Sequence, residues 1–239
     1  VEDSKKESKA KNFIKRYCNN KLAVIGFFTL VLITLIVIIA PPFLPFSEAE
    51  IDPLAFNMPP SAKHLLGGDD VGRDVLSRLL YGGRVSLAVG IFSTAVSVIV
   101  GIPLGMLAAF YRGAFEVVVM RLSDIFMSFP STILILFLVS MFGPSIITVT
   151  VVIGVLGWPK FARQIYGSVL SIREKDYIEG AVAIGAKDKL IITRYILPNA
   201  VAPIFISITF RIASAIILES SLSFLGMGVQ PPAASWGNM

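Results

Sequence analysis

Apolar residues in this chain gather into long uncharged runs instead of alternating with polar ones. A helix rises about 1.5 Å per residue and needs about 20 such residues to cross roughly 30 Å of hydrocarbon. Leu22 to Ala40 is one run, without charge and closed by Pro41-Pro42, where a helix stops. A second goes from Val85 to Phe110 with Pro103 and several glycines inside it, and a third, Val117 to Met141, is interrupted by Arg121, Asp124 and Pro130. Ile146 to Trp158 reaches spanning length only by continuing through Pro159 to Ala162, and a fifth run, Ala200 to Leu218, carries Arg211. The pattern predicts an all-α, polytopic membrane helix bundle with spans over 22–40, 85–110, 117–141, 146–162 and 200–218.

Charge between the runs sets the orientation. Residues 1–21 hold seven basic side chains against three acidic, which places this tail in the cytoplasm by the positive-inside rule. Residues 41–84 then lie outside with four basic against six acidic, and are expected to contain an amphipathic helix; 159–199 lie inside with seven against four. The first run is longer than the 7–15 residues of a signal-peptide core and has no small-x-small site before Pro41, so it reads as a retained anchor. Five spans leave residues 219–239 outside, and a chain that begins at Val1 is expected to be part of a longer one.

Composition agrees with a membrane protein. Hydrophobic residues make up 55% and charged residues 15%, with mean hydropathy +0.78, whereas soluble domains carry about 25% charged residues. That excludes disorder, and the single Cys18 excludes an internal disulfide framework. The net charge of +5 is spent on topology, so no nucleic-acid partner is expected.

The inside stretch 163–199 is unusually long and patterned. Asp176 and Glu179 have capping-box spacing, Gly185 sits where a helix would end, and Asp188 is placed to cap a second short helix stopping before Pro198. Ile178, Ala181, Val182 and Gly185 fall on one helical face, either for docking a partner or for packing beneath the bundle.

Glu179-Gly180-Ala181, then Gly185, then Ile196-Leu197-Pro198 resembles the "EAA" signature of permease subunits of binding-protein-dependent ABC importers. Two longer passages, His64 to Gly67 with Gly72 to Gly82 and Arg84 to Leu87, and Glu219 to Gly226 with Gln230 to Pro232 and Ser235 to Gly237, resemble C-type permeases of the dipeptide, oligopeptide and nickel group. Departures are Gly180 for the usual alanine, costing up to about 1 kcal/mol of helix stability, and Gly68 for the usual threonine. The resemblance implies a permease core over 85–239 and a sixth span beyond Met239. It also implies a coupling helix, carried by Tyr177, Glu179, Gly180, Ala181, Gly185, Ile196, Leu197 and Pro198, that docks on an ATPase. The implied partners are a homologous B-type permease, two cytoplasmic ATPase subunits that hold ATP and Mg, an extracytoplasmic solute-binding protein and the bilayer of a prokaryotic inner membrane. Short peptides are the implied cargo, with nickel second.

Ionisable groups inside a bilayer cost roughly 2.5–3.5 kcal/mol and call for partners or a water-lined cavity. Arg121 and Asp124, at i and i+3, are placed to pair along their helix. Arg211 reads as half of a pair across the bundle, or as a pathway group meeting the carboxylate of a peptide; Glu219, eight residues on, lies about 80° away around the helix. Pro103, Pro130 and Pro159 read as packing kinks or as breaks at moving parts. Gly180 to Lys187 approaches a phosphate-cradling loop, but Ala186 precedes Lys187 and Asp188 follows it, so the chain is expected to hold no nucleotide and no cofactor and to be no enzyme. His64 beside Asp69 and Asp70 is a weak metal set, read instead as a turn and helix start before Val71. A rival class is an ion-coupled transporter relaying through Asp124, Arg211 and Glu219; a non-transporting scaffold is a third.

Overall fold

The computed structural model describes residues 18–239, so most of the tail at 1–21 lies outside the described residues. The fold is helical, and among the described residues the β contacts are two isolated bridges, Ile51 with Arg73 and Gly68 with Asp74. Four of the described helices are long and apolar enough to cross a membrane, and a bent pair makes a fifth if it counts as one span. The chain divides into two compact units, Val1–Arg84 and Val85–Met239.

In the first unit, α1 (Lys21–Ile39) starts where Asn20 Oδ1 accepts the Ala23 N–H at 3.3 Å. It is apolar around its whole circumference and buries Val37 alone, a surface suited to lipid. The carbonyls at its end are taken by Arg84, which donates from Nε to Val37 at 3.0 Å and from Nη2 to Ile38. A guanidinium there also meets the negative end of the helix dipole.

The 41–84 segment holds no separate amphipathic helix. It contains two 3₁₀ turns, Pro41–Phe43 and Pro53–Ala55, and then the start of α2 (Val75–Tyr111), which begins at Val75 and not near Val71 or Val85. Asp74 caps α2, accepting the Ser77 N–H at 2.7 Å, and its other oxygen takes His64 Nδ1 at 2.9 Å. His64 is buried, stacked on Phe46 with centroids 4.5 Å apart, and its Nε2 lies 3.4 Å from Asp52. The imidazole thus braces the helix start. A hydrogen bond from Lys63 at 2.6 Å, with the Leu54 N–H, pulls the Asp52 carboxyl down to about 2. Gly68 has a packing reason: a Cβ there would lie 1.8 Å from the Ala55 carbonyl oxygen, which leaves no room for threonine.

In the second unit α2 packs against α5 (Ile146–Arg173), which Ser145 caps through the Thr148 N–H at 3.0 Å. α5 runs well past Ala162, and Pro103 and Pro159 both lie inside continuous helices. The break is at Pro130, where α3 (Gly113–Ser128) and α4 (Ser131–Phe142) meet at 88°. The α2–α5 seam is a close backbone approach: a Cβ on Gly101 would sit 2.5 Å from Trp158 O, and one on Gly105 2.1 Å from Ala162 O. α9 (Ala202–Phe224) completes the unit, after the shorter elements described next.

Candidate functional site

After Arg173 the chain turns into α6 (Asp176–Ala183). Lys175 occupies the cap position and no side chain caps the helix, so the expected capping box does not form. Asp176 and Glu179 lie instead in the first turn, where carboxylates favour the positive end of the dipole. Gly185, at φ +77, ends α6 in a Schellman turn: its N–H reaches Val182 O at 2.9 Å and the Ala186 N–H reaches Ala181 O at 3.0 Å.

Lys187, again without a side-chain cap, precedes α7 (Asp188–Leu190), so Asp188 does not cap it either. The helix also does not stop before Pro198. It passes through a π turn, Ile191–Ile196, into α8 (Leu197–Ala200), with the Leu197 N–H bonded back to Ile192 O. Pro198 sits near the start of α8, where its missing donor is tolerated.

The four residues that spacing puts on one face of α6 separate. Ile178 and Ala181 are 2% and 7% exposed, and join Phe161, Ile165 and Val169 of α5, Ile196, and Ile204 of α9 in one core. Val182 is 59% exposed and Gly185 is also open. Two turns of helix followed by a left-handed residue are too short for the bundle to cover more than a narrow stripe. The open surface is therefore Tyr177 (49%), Val182 and Ile184 (85%), with Glu179 and Gly180 exposed among them. Ile196 is fully buried, Leu197 half-buried and Pro198 exposed. Arg173 secures the end of α5, donating to Ala109 O at 3.4 Å and lying over the Phe110 ring.

The three span charges are not brought together. Asp124 pairs with Arg163 of α5 and not with Arg121, because the helix-to-helix partner is closer than the same-helix one. Glu219 is fully buried and accepts from Ser86 and Ser223, each at 2.7 Å. Those hydroxyls in turn accept the N–H groups of Trp236 at 3.2 Å and Val229 at 3.0 Å, so the carboxylate pins the 225–238 segment to α2 and α9. Arg211 has no carboxylate partner among the described residues, so the pair expected across the bundle is not formed within them. Its Nη2 donates to Ile153 O at 2.8 Å and its Nε is buried without an acceptor.

Sequence reasoning passed over Arg163, Ser86 and Ser223, whose partners are distant in the chain. It also passed over Gly101 and Gly105, whose small-xxx-small spacing was a usable signal.

Comparison with known proteins places these features. Residues 101–239 match the family model for the binding-protein-dependent transport system inner membrane component, and 8–60 match that for the N-terminal TM domain of oligopeptide transport permease C. The chain is 38% identical to the dipeptide transport system permease protein DppC of Alkalihalophilus pseudofirmus, covering 94% of this chain and 74% of the relative. It is 38% identical to the glutathione transport system permease protein GsiD of Pectobacterium atrosepticum, over 100% and 80%. Against the oligopeptide transport system permease protein OppC of Bacillus subtilis the values are 33%, 96% and 75%. A chain of the inward-facing MetNI methionine ABC transporter shares the fold, with TM-score 0.57 and 22% identity over 67% of this chain and 77% of that one.

Proposed function

Since this chain belongs to the family of inner membrane components of binding-protein-dependent transport systems, we propose that it is a permease subunit through which an ATP-driven importer moves short peptides into the cell. The relatives' names specify dipeptides, oligopeptides and glutathione, all with a peptide backbone, and this supports peptide cargo over nickel.

The observation that carries the mechanism is the way α6 is mounted. One side, Ile178 and Ala181, is built into the core shared by α5 and α9, while Tyr177, Val182 and Ile184 stay open. Burying Ile178 contributes roughly 2 kcal/mol, enough to make α6 move with the spans and not slide over them. A partner that grips the open side therefore moves α5 and α9 directly. With the N-terminus inside, as the basic tail argues, α6 faces the cytoplasm, where the ATPase subunits sit. A homologous permease lines the other half of the pathway and a solute-binding protein delivers cargo from outside. ATP-driven approach of the ATPases displaces α6, and the bundle rocks between access states.

ATP and Mg belong to the partner subunits. The Gly180–Lys187 stretch is the end of α6 and its Schellman turn, not the strand, loop and helix that cradle a phosphate, and this supports a chain without nucleotide chemistry.

The test places a cysteine on the open side, at the exposed Ala183 of α6 (Ala183→Cys), in the assembled transporter. Crosslinking to an ATPase subunit, together with peptide uptake that needs ATP and survives collapse of the proton gradient, is the expected result. No crosslink and gradient-dependent uptake would instead support ion coupling through Asp124, Arg211 and Glu219.

A further inference from the structure

We propose that the cavity between α5 and α9 is a carboxylate subsite, in which Arg211 and Lys160 hold the C-terminal carboxylate of a peptide in transit. This rests on the peptide-permease reading and names a site within it. The cavity, about 340 Å³, is lined by Lys160, Phe161 and Gln164 from α5 and by Ser207, Phe210, Arg211 and Ser214 from α9. Two cations and no carboxylate share its wall, an arrangement that an incoming anion stabilises.

The neighbouring cation shows the contrast. Arg163, three residues beyond Lys160 on α5, is neutralised by Asp124, whereas no described carboxylate pairs with Arg211. Arg211 is seated deliberately. Its Nη2 is anchored on Ile153 O at 2.8 Å, and a Cβ on Gly157 would come within 2.6 Å of that nitrogen, so glycine keeps the space the guanidinium occupies. With Nη2 tied to Ile153 O and Nε buried, the guanidinium is a fixed positive charge placed to meet one carboxylate oxygen through its remaining N–H groups, a role a lysine ammonium can also fill.

The rest of the lining suits a peptide. Ser207, Arg211 and Ser214 stand at i−4, i and i+3 on one stripe of α9, and Gln164 stands one turn from Lys160 on α5. These hydroxyl and amide groups match peptide N–H and C=O groups, and Phe161 and Phe210 offer apolar walls to side chains. The carboxylate is the group that short peptides have in common whatever their side chains, so a site for it accepts many sequences.

The experiment measures uptake of trialanine and of its C-terminal amide by the complete transporter, with its binding protein, in ATP-loaded proteoliposomes. Arg211→Gln and Lys160→Gln are each expected to cut trialanine uptake at least about tenfold and amide uptake less than about twofold, with Arg211→Lys retaining most of the trialanine rate. The binding protein is common to every arm, so its own preference cancels from the change. Equal losses for acid and amide, as a packing role or a carboxylate from the neighbouring permease would produce, overturn the proposal, as does no loss in either variant. If Arg211→Gln does not assemble, Lys160→Gln decides, because that side chain is exposed. A wild-type complex that imports neither compound overturns the peptide reading, and this site with it.

Discussion

α9 has two differently built ends. At the Glu219 end a buried carboxylate accepts from two serines, which accept from two backbone N–H groups, so every polar group in the cluster is answered from within the chain. At the other end, where Ile204 joins the core under α6, apolar packing anchors one side of a short helix and leaves Tyr177, Val182 and Ile184 uncovered. The first end is satisfied by itself and suited to staying fixed. The second leaves apolar side chains open, the surface that the proposed ATPase contact would cover.

The largest effect is expected at the closed end. Glu219→Ala leaves two buried hydroxyls without an acceptor and is expected to destabilise the protein by roughly 3–5 kcal/mol, read as a lowered thermal unfolding midpoint in detergent. Glu219→Gln keeps one acceptor and should recover part of that loss. Ile178→Ala, at the root of α6, is expected to cost about 2–4 kcal/mol and to loosen α6, read as faster hydrogen exchange over 176–186. If instead exchange rises equally at both ends, the two are one cooperative unit and the contrast fails.

A smaller effect tests whether span charges matter for stability. Arg163→Gln leaves Asp124 without its partner inside a span, so the variant is expected to cost up to about 3 kcal/mol in the same unfolding assay.

The smallest effect lies in the 41–84 loop and depends on pH. The Asp52 carboxyl is held at about 2, against an ordinary 3.8, chiefly by the Lys63 hydrogen bond. A depressed carboxylate stabilises the fold above its ordinary value, and that stabilisation is lost as the pH falls from about 4 towards 2. Pepsin cleavage of the loop should therefore quicken across this window, and Asp52→Asn should flatten the dependence.

How much of this the sequence displayed follows from where polar residues point. The apolar run marked α1 closely because a lipid-facing helix is apolar almost all round, whereas the run for α9 stopped at Leu218, six residues short of Phe224, because Glu219, Ser220, Ser221 and Ser223 continue the helix. The runs misplaced the start of α2, since Ser77, Arg78, Tyr81 and Arg84 are helical but turn their polar groups to the loop or to the end of α1. They cut α5 short at Ala162 for a similar reason: Arg163 and Gln164 continue the helix while facing Asp124 and the cavity. The residues of the α6 segment were readable as a motif, but which side is open was not. Spacing assigns Val182 to the face of Ile178, and only packing against α5 shows that the core ends before reaching it. The partners of Glu219 and Asp124 were not readable, because each lies on another helix.

The central claim, that the open side of α6 receives the drive from the ATPase, is tested most directly by Ile184→Asp. This residue is exposed and outside the core, so the variant should assemble and unfold at the wild-type temperature. The account predicts that ATP-driven peptide uptake then falls at least about tenfold, the loss of about 1.4 kcal/mol or more of coupling. Wild-type uptake by a correctly assembled Ile184→Asp transporter would contradict it.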